Sequence, residues 1–411
     1  MNAICLVIDR LHAGFLGSYG NAWVQTPQLD RLAAESFLFD QALIDSPRLE
    51  SLYRSYWQGW HAIRRGSPPK DRASLPQRLG AAGVAGTLLT DEPAVARHPL
   101  ATGFDELVEI DPPDHEELAK TIDQTHLARC FAQAIDWLEK AREPFLLWCH
   151  LSGLGGPWDA PREFRRAYVE EGDPPPRESA EVPCLRLPED YDPDDLLAVT
   201  QAYAGQVSLL DACVGALLEC LEETGGGETL LVLLSARGFP LGEHLRVGPC
   251  EEPLYGELVQ VPWMMRFPDG LGAAARTQAL VEPADLWATL LEWWQITGPP
   301  EVPTAKGLLP LVREEVASVR DRLFVVADGL QQAIRTPAWY LRESGGADED
   351  TAGVELFAKP DDRWEVNDVS DRCREVVERL GEVFVQCERF LQTGQIGDLP
   401  PLEESLAIGV E

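Results

Sequence analysis

Short apolar runs alternate along this chain with segments of helical periodicity, and this alternation is the feature that most constrains the fold. The first run, Ala3–Ile8, contains no polar residue and ends at Asp9. Runs of this kind are typical of strands that are buried on both faces of a parallel sheet. Further strand candidates are Val84–Thr90, Phe145–His150 and Glu228–Ser235.

Helix signals fill the intervals between these strands. Leu127–Arg142 and Asp194–Thr224 have apolar residues at helical spacing, and Thr26 followed by Pro27 is typical of a helix N-terminus, with the Thr26 side chain as its cap. The repeated order of strand, helix and strand predicts an α/β fold with a central, mostly parallel sheet flanked by helices.

The pattern changes after residue 318, where short and closely spaced strand candidates are joined by turn residues. These candidates are Leu323–Ala327, Gln332–Thr336, Trp339–Arg342 and Val354–Ala358. They predict a small antiparallel sheet, which a helix over Asp371–Leu391 closes. The sequence therefore predicts an α/β domain over residues 1–318 and a small C-terminal α+β subdomain over residues 319–411 that packs on it.

The charge balance excludes some classes of partner. The chain carries 35 Lys and Arg residues against 68 Asp and Glu residues, a formal net charge of −33 at pH 7. Nucleic acids and anionic membrane surfaces attract basic proteins, so neither is expected as a partner. A sulfate or phosphate site in this chain therefore requires a local cluster of Arg or Lys side chains.

Nothing in the sequence predicts secretion or insertion into a membrane. No apolar stretch reaches the ~18 residues of a membrane span, and the first residues lack the basic segment and the cleavage site of a signal peptide. The nine cysteines include no C-x-x-C pair, so the sequence predicts neither a zinc site nor a redox pair. These features together predict a cytoplasmic protein.

Functional side chains are expected directly after strands, because ligands of open α/β sheets bind beyond the carboxyl ends of the strands. Motifs at these positions follow one another along the chain. They are Val7–Leu11, Leu16–Asn21, His150–Ser152, Gly156–Trp158, Ser235–Gly238 and Leu241–His244. In order and spacing they resemble the sulfatase family. The resemblance covers nearly the whole chain and implies the alkaline-phosphatase-like fold.

The resemblance implies a nucleophile, a divalent cation held by carboxylates, and cationic side chains that bind the ester. The alignment places Leu49 at the position of the nucleophile, which in the family is a formylglycine, Ser or Thr. Asp9 is the remaining carboxylate of a first-strand pair, with Arg10 beside it, and Ala236 and Arg237 stand where the family has later metal ligands. The family's active-site His falls on Gly155, and the family's lysine motif is missing from residues 89–92.

A divalent cation does not fit this set of side chains. Hard dications take about six oxygen ligands, whereas a guanidinium group has no lone pair to donate. Loss of the nucleophile alone costs many powers of ten in rate. We therefore predict a non-catalytic pseudoenzyme with no metal and no cofactor, in which Arg237 takes the cation position and pairs with Asp9.

The arginines near the strand ends allow two interpretations. In the first, Arg10, Arg48, Arg54 and Arg237, together with His150, form a site for an anionic ligand. That ligand is a sulfated or phosphorylated small molecule or sugar, and a protein partner is the other candidate. In the second interpretation, the arginines have only a structural role, and the cleft that corresponds to the family's active site binds nothing.

An alternative interpretation retains catalysis. With a short gap in the alignment, Ser51 takes the nucleophile position and Arg54 anchors the ester, or Ser46 takes that role with Arg48. A serine nucleophile still requires a metal or a base for its activation. The protein is then a sulfuric or phosphoric ester hydrolase with atypical residues.

Three tryptophans flank the predicted cleft and also allow two interpretations. Trp57, Trp60 and Trp158 are either core residues or a wall on which a sugar ring stacks. Their burial in the folded chain distinguishes these interpretations.

Overall fold

The apolar runs form the strands of a central sheet in the computed structural model, which describes residues 1–64, 66, 68–69, 72–112, 117–224, 229–297, 304–327, 331–345, 353–392 and 399–407. The strands are β1 (Asn2–Ile8), β2 (Phe37–Ala42), β3 (Ala85–Thr90), β4 (Glu106–Glu109), β5 (Phe145–Leu151), β6 (Leu185–Arg186), β7 (Thr229–Leu234), β8 (Arg246–Val247), β9 (Trp263–Arg266), β10 (Ala275–Val281), β11 (Leu323–Val326), β12 (Gln331–Arg335), β13 (Trp339–Ser344) and β14 (Gly353–Ala358). The α-helices are α1 (Pro27–Ala34), α2 (Leu49–Gln58), α3 (Leu75–Ala81), α4 (Pro93–Ala96), α5 (His126–Leu138), α6 (Arg162–Arg166), α7 (Pro193–Glu223), α8 (Gly256–Val259), α9 (Pro283–Trp293), α10 (Leu309–Val312), α11 (Arg374–Gln392) and α12 (Glu404–Ala407). Glu228, which the sequence pattern assigned to a strand, lies outside the described residues.

The first apolar run lies in the interior of the central sheet. The strand order is β10-β2-β9-β7-β1-β5-β3-β4, and β1 pairs in parallel with β5 on one side and with β7 on the other. Every residue of β1 is buried, as its apolar sequence predicts. β3 and β4 continue the parallel part of the sheet, whereas β9 is antiparallel to β7 and β2 is antiparallel to β9. The mostly parallel sheet predicted from the sequence is confirmed.

Helix α7 is the central helix of the core on one face of this sheet. Within the described residues it is the helix whose length and composition would also suit a membrane span, with a mean hydropathy of 1.4 over 18 residues. Most of that window is buried inside the fold, where α7 packs on α1, α5 and α6. These contacts are those of a core helix, so the apolar composition of α7 is explained by packing.

The N-terminus of helix α1 is capped from a different element than the sequence predicts. Thr26 lies at the N-cap position, but its hydroxyl accepts the N–H of Gly17 at 3.2 Å instead of an N–H of the helix. The cap is Asp211 of α7, whose Oδ1 accepts the N–H groups of Gln28 at 2.9 Å and Leu29 at 2.8 Å. The predicted capping role of Thr26 is therefore wrong, because a carboxylate from a packed helix takes the place of a local side chain.

This cap leads to a pH-dependent prediction. Burial, only partly offset by the Leu29 and Gln28 hydrogen bonds, raises the pKa of Asp211 to about 6, so the folded chain binds a proton there more tightly than the unfolded chain does. The stability that Asp211 contributes is therefore present below pH 4 and is lost as the pH rises towards 6. We expect this loss to be about 1–2 kcal/mol after allowance for solvent screening.

The measurement compares urea unfolding of the wild-type chain and of Asp211→Asn at pH 4 and pH 7. The asparagine keeps an acceptor oxygen for the two N–H groups but does not titrate. We expect the free energy of unfolding of the variant to increase relative to that of the wild type as the pH rises. Parallel pH profiles for the two proteins would contradict the prediction.

The chain divides into two compact units that do not coincide with the predicted boundary at residue 318. The first unit comprises residues 1–40, 83–250 and 261–276, and the second comprises residues 41–82, 251–260 and 277–411. The second unit includes an earlier part of the chain because helix α2 packs on helix α9. Composition along the chain does not reveal this pairing, since the two helices are separated by more than two hundred residues.

The C-terminal part of the second unit contains the small sheet expected from the sequence. The strands β11, β12, β13 and β14 are antiparallel neighbours in that order, with Ile334 opposite Leu341 and Leu341 opposite Leu356. Helix α11 buries Leu380 and Phe384 in the cluster to which these three residues belong. The predicted antiparallel sheet and closing helix are confirmed.

Candidate functional site

The carboxyl ends of four neighbouring strands define the candidate site in the first unit. β7, β1, β5 and β3 are consecutive and parallel in the sheet, so the residues that follow them lie along one edge. Asp9 and Arg10 follow β1, Ser235–Arg237 follow β7, Ser152 follows β5 and Asp91 follows β3. This is the edge at which ligands of open α/β sheets bind.

Asp9 and Arg237 form a bidentate ion pair at this edge. The Arg237 Nε donates to Oδ1 of Asp9 at 3.1 Å, and Nη2 donates to Oδ2. The Asp9 side chain is 3% exposed and that of Arg237 is 11% exposed. The pairing predicted from the sequence is therefore present in the structure.

The charge state of Asp9 follows from its neighbours. Burial by itself raises the pKa of this carboxyl group, but the guanidinium charges of Arg237 and Arg10 and the hydrogen bonds from Arg237 bring the pKa below its ordinary value. The backbone N–H of Arg10 also donates to Oδ1 of Asp9 at 3.0 Å. Asp9 is thus an ionised carboxylate with both oxygens engaged by donors.

These residues do not fit the divalent cation that the family resemblance implies. Both oxygens of Asp9 already accept hydrogen bonds, and Ala236, which is fully buried, offers only a methyl group. A dication beside Arg237 and Arg10 would meet two like charges in a largely dehydrated place. The donor set of this edge is therefore that of an ion pair and not that of a calcium or magnesium site.

Arg10 occupies space that a side chain at position 155 would need. Its backbone is in the left-handed region, with a φ of 63°, and its Nη1 donates to the carbonyl oxygens of Cys250 at 2.9 Å and Gly238 at 3.3 Å. A Cβ at Gly155 would lie 2.8 Å from Cγ of Arg10. The family resemblance implies a histidine at position 155. In this chain the Arg10 side chain fills the space that a histidine side chain would need, which explains the glycine.

His150, the fifth predicted anion-binding residue, lies inside β5 and is fully buried. Burial lowers its pKa, although the carboxylates of Asp9 and Asp91 act in the opposite direction. Its imidazole is therefore neutral at pH 7. A neutral ring has no positive charge with which to attract an anionic ligand. His150 would therefore contribute to an anion site only as a hydrogen-bonding group.

The predicted nucleophile position lies in the second unit, at the start of helix α2. Leu49 is the first residue of this helix and its side chain is buried. The Ser46 hydroxyl accepts the N–H of Arg48 at 3.3 Å, and Ser51 is half-buried on the helix. Among the described residues, neither serine hydroxyl is hydrogen-bonded to a histidine or a carboxylate, so neither serine has a base to activate it.

Arg48 and Arg54, also in the second unit, are paired with carboxylates. Arg48 Nε lies 3.2 Å from Glu251 Oε2, and Arg54 Nη2 lies 2.6 Å from Glu50 Oε1 one helical turn away. All four of these side chains are at least a quarter exposed to solvent. Their charges are thus compensated within the second unit, and exposed pairs of this kind contribute little to stability.

The tryptophans divide between the two interpretations given above. Trp57 and Trp158 are at most 1% exposed, so both are core residues. The interpretation of these two as a sugar-stacking wall is therefore wrong. Trp60 is half-buried, and the Arg64 guanidinium lies 4.5 Å from its ring centroid. A sugar that stacks on Trp60 would therefore compete with an arginine of the same chain.

Comparison with known proteins identifies the family. The profile of the family described as Sulfatase matches residues 1–296, nearly three quarters of the chain. The chain belongs to the sulfatase family. Human iduronate 2-sulfatase is 26% identical to it over 59% of this chain, and mouse iduronate 2-sulfatase is 24% identical over 76%. The chain spans only 56% of the length of the human enzyme and 72% of that of the mouse enzyme.

Solved structures share the fold over nearly the whole chain. A phosphonate monoester hydrolase of Agrobacterium radiobacter superposes with a TM-score of 0.74 at 17% identity, covering 95% of each chain. A protein solved in complex with its substrate D-glucosamine-2-N,6-O-disulfate superposes with a TM-score of 0.73 at 17% identity, covering 96% of this chain and 97% of the other. These similarities show the alkaline-phosphatase-like sulfatase fold.

Sequence reasoning missed one group of side chains in the first unit that includes three with metal-ligand atoms. Asp91, Ser152, His126 and Cys130 lie in contact, although the first two follow strands and the last two belong to helix α5. Asp91 is part of the segment that lacks the family's lysine motif, and His126 and Cys130 are four residues apart. On a helix this spacing places two ligand atoms on one face. It is the feature of the sequence from which the group could have been predicted.

Proposed function

We propose that this protein is a sulfatase-family member that no longer hydrolyses esters and that holds a sulfated sugar without cleaving it. The observation that carries the proposal is the bidentate pair between Arg237 and Asp9. This pair places a fixed guanidinium where the family resemblance puts a divalent cation. A guanidinium neutralises the carboxylate but does not polarise an ester or lower the pKa of a nucleophile as a metal does.

The residues at the nucleophile position support the same conclusion. Leu49 has no nucleophilic atom, and the hydroxyls of Ser46 and Ser51 have no histidine or carboxylate bonded to them within the part of the chain that the structure describes. Removal of the nucleophile and of the electrophilic cation each costs several powers of ten in rate. Their combined loss favours a pseudoenzyme over the alternative, a hydrolase that uses Ser51 or Ser46.

The class of ligand is proposed from charge and from the relatives. The strand-end edge brings two guanidinium groups, Arg10 and Arg237, beside one carboxylate, Asp9. With the ionised Asp91 carboxylate at the same edge, two positive charges face two negative charges, so the edge is close to neutral although the whole chain has a net charge of −33. One relative is solved with a sulfated glucosamine as its substrate.

We also propose that the protein is cytoplasmic, which agrees with nine cysteines that are all free thiols.

Hydrolysis is tested with an aryl sulfate and an aryl phosphate, each with and without added calcium or manganese. We expect the full-length wild-type protein to release no more phenol than the Asp9→Ala variant under any of these conditions. Metal-dependent turnover that disappears in Asp9→Ala would overturn the proposal and would favour the atypical hydrolase.

A gain-of-ligand variant tests the metal argument independently of activity. Ala236→Asp combined with Arg237→His restores two metal-ligand side chains beside Asp9 and removes the guanidinium. We expect calcium to raise the melting temperature of this double variant and to leave that of the wild type unchanged. A calcium-dependent rise in the wild type would contradict the replacement of the cation by Arg237.

Ligand binding is measured by calorimetry with glucosamine 6-sulfate, and unsulfated glucosamine is the control. We expect heat of binding for the sulfated sugar alone. Silence with both sugars would overturn the binding half of the proposal and would leave the arginines as purely structural groups.

A further inference from the structure

A buried group of metal-ligand side chains lies between strand β3 and helix α5 in the first unit. The Asp91 Oδ2 is 2.7 Å from Nε2 of His126, and Sγ of Cys130 is 3.9 Å from the same Oδ2 and 3.7 Å from the same Nε2. All three residues are at most 5% exposed. Their ligand atoms lie within 4.8 Å of one another.

We propose that Asp91, His126 and Cys130 bind one zinc ion. Zinc takes carboxylate oxygen, imidazole nitrogen and thiolate sulfur at about 2.0–2.3 Å in tetrahedral geometry, which places its ligand atoms about 3.3–3.6 Å apart. The two distances from the Cys130 sulfur exceed this range by a few tenths of an ångström. The shorter distance between Asp91 and His126 is that of a hydrogen bond, which lengthens when a metal replaces the proton.

The charge of the group also favours zinc. One carboxylate and one thiolate neutralise the two charges of the ion, so the complex can be buried without a net charge. The softer sulfur and nitrogen donors disfavour calcium and magnesium, which prefer oxygen. Since His126 and Cys130 are one turn apart on helix α5, the backbone already holds two of the ligands on one face.

Two buried atoms without partners support the same assignment. Among the described residues, Nδ1 of His126 and Oδ1 of Asp159 have no hydrogen-bond partner, and both side chains are at most 3% exposed. The other oxygen of Asp159 accepts the backbone N–H of His126 at 2.7 Å. Zinc on Nε2 leaves the ring proton on Nδ1, so that Nδ1 becomes a donor. Metal-bound histidines commonly donate this proton to a carboxylate, and the Asp159 carboxylate, which already accepts the backbone N–H of His126, keeps one oxygen without a partner among the described residues.

Ser152 orients Asp91 and connects the group with the surface. Its N–H donates to Oδ1 of Asp91 at 2.7 Å, and its hydroxyl donates to Oδ2 at 2.6 Å. Ser152 is half-buried, whereas the three ligands are buried. An ion therefore enters the site past Ser152. The Ser152 hydroxyl, or a water in its place, supplies the fourth ligand of a tetrahedral site.

This site is independent of the proposed function, and the sequence did not predict it. The absence of a C-x-x-C pair argues only against a site built from paired cysteines. Here the ligands come from a strand end and from one helix, so their proximity depends on the fold. The expectation that the protein has no metal site is therefore revised by this proposal, whose zinc ligands are residues other than Asp9 and Arg237.

The test uses cobalt as a spectroscopic substitute for zinc in the full-length protein. The protein is treated with a chelator, dialysed and titrated with Co²⁺. We expect a thiolate-to-cobalt charge-transfer band in the near ultraviolet that saturates at one ion per chain. Zinc should remove the band, because it binds such sites more tightly than cobalt does.

The matched variants are Cys130→Ser and Cys220→Ser, which remove the same atom from two buried cysteines. We expect Cys130→Ser to lose the charge-transfer band and to bind zinc more than about 100-fold less tightly, and Cys220→Ser to match the wild type. The proposal is overturned if the wild-type protein gives no charge-transfer band, or if the band persists in Cys130→Ser. The wild-type titration decides the question even when a variant does not fold.

Discussion

Replacement of Arg237 by alanine is expected to lower the free energy of unfolding by about 3–5 kcal/mol. The substitution leaves the Asp9 carboxylate, which is 3% exposed, without the guanidinium that donates to both of its oxygens. A buried charge without its partner is costly, because the protein interior solvates it far less well than water does. Urea denaturation at pH 7 measures the effect.

Two further variants show whether the cost comes from the unpaired carboxylate. Asp9→Asn combined with Arg237→Gln removes both charges, and we expect it to be clearly more stable than Arg237→Ala alone. Arg31→Ala is the surface control, because Arg31 pairs with Glu35 and Glu222 where both partners are exposed. We expect it to change stability far less. Equal losses in Arg237→Ala and Arg31→Ala would show that the buried pair is not a structural element.

The strands of the sheet interior were predictable from the sequence, and the shorter or more polar strands were not. β1, β3, β5 and β7 are mostly apolar, because burial on both faces of a parallel sheet disfavours polar residues. β9 has only four residues, and the end of β2 contains Asp40 and Gln41. Runs this short or this polar have no distinct period, so their strand pairing is visible only in the folded chain.

The candidate site was predictable where it depends on the order of neighbouring strands. Asp9 and Arg237 follow two strands that pair directly in the sheet, so their side chains meet at one edge. The close fit between Gly155 and Arg10 was not predictable, because it depends on the left-handed backbone of Arg10. The Asp211 cap and the group around Asp91 depend on how helices pack against distant elements, and no local pattern encodes that packing.

Replacement of Arg320 by alanine is expected to have an effect of similar size in the second unit. The Arg320 guanidinium donates to both carboxylate oxygens of Asp285, and one of its nitrogens lies 3.7 Å from Glu282. Both carboxylates are at most 4% exposed at the start of helix α9. His61 also faces this group, with its Nε2 3.3 Å from Glu282. Arg320 is therefore the permanent charge that balances two buried acids.

The loss of this cation should destabilise the protein by about 3–5 kcal/mol at pH 7. Burial, partly offset by Arg320, raises the pKa of Asp285 to about 6, and removal of the guanidinium takes away an interaction that favours its ionised form. The deficit of Arg320→Ala should therefore shrink as the pH falls from 7 to 5, because the acids of the variant take up protons at a higher pH than those of the wild type. Arg313→Ala is the matched control, because its partner Glu292 is 39% exposed, and we expect it to cost about 1 kcal/mol or less at either pH. A deficit of Arg320→Ala that is the same at pH 5 and pH 7 would show that unpaired buried carboxylates are not its cause.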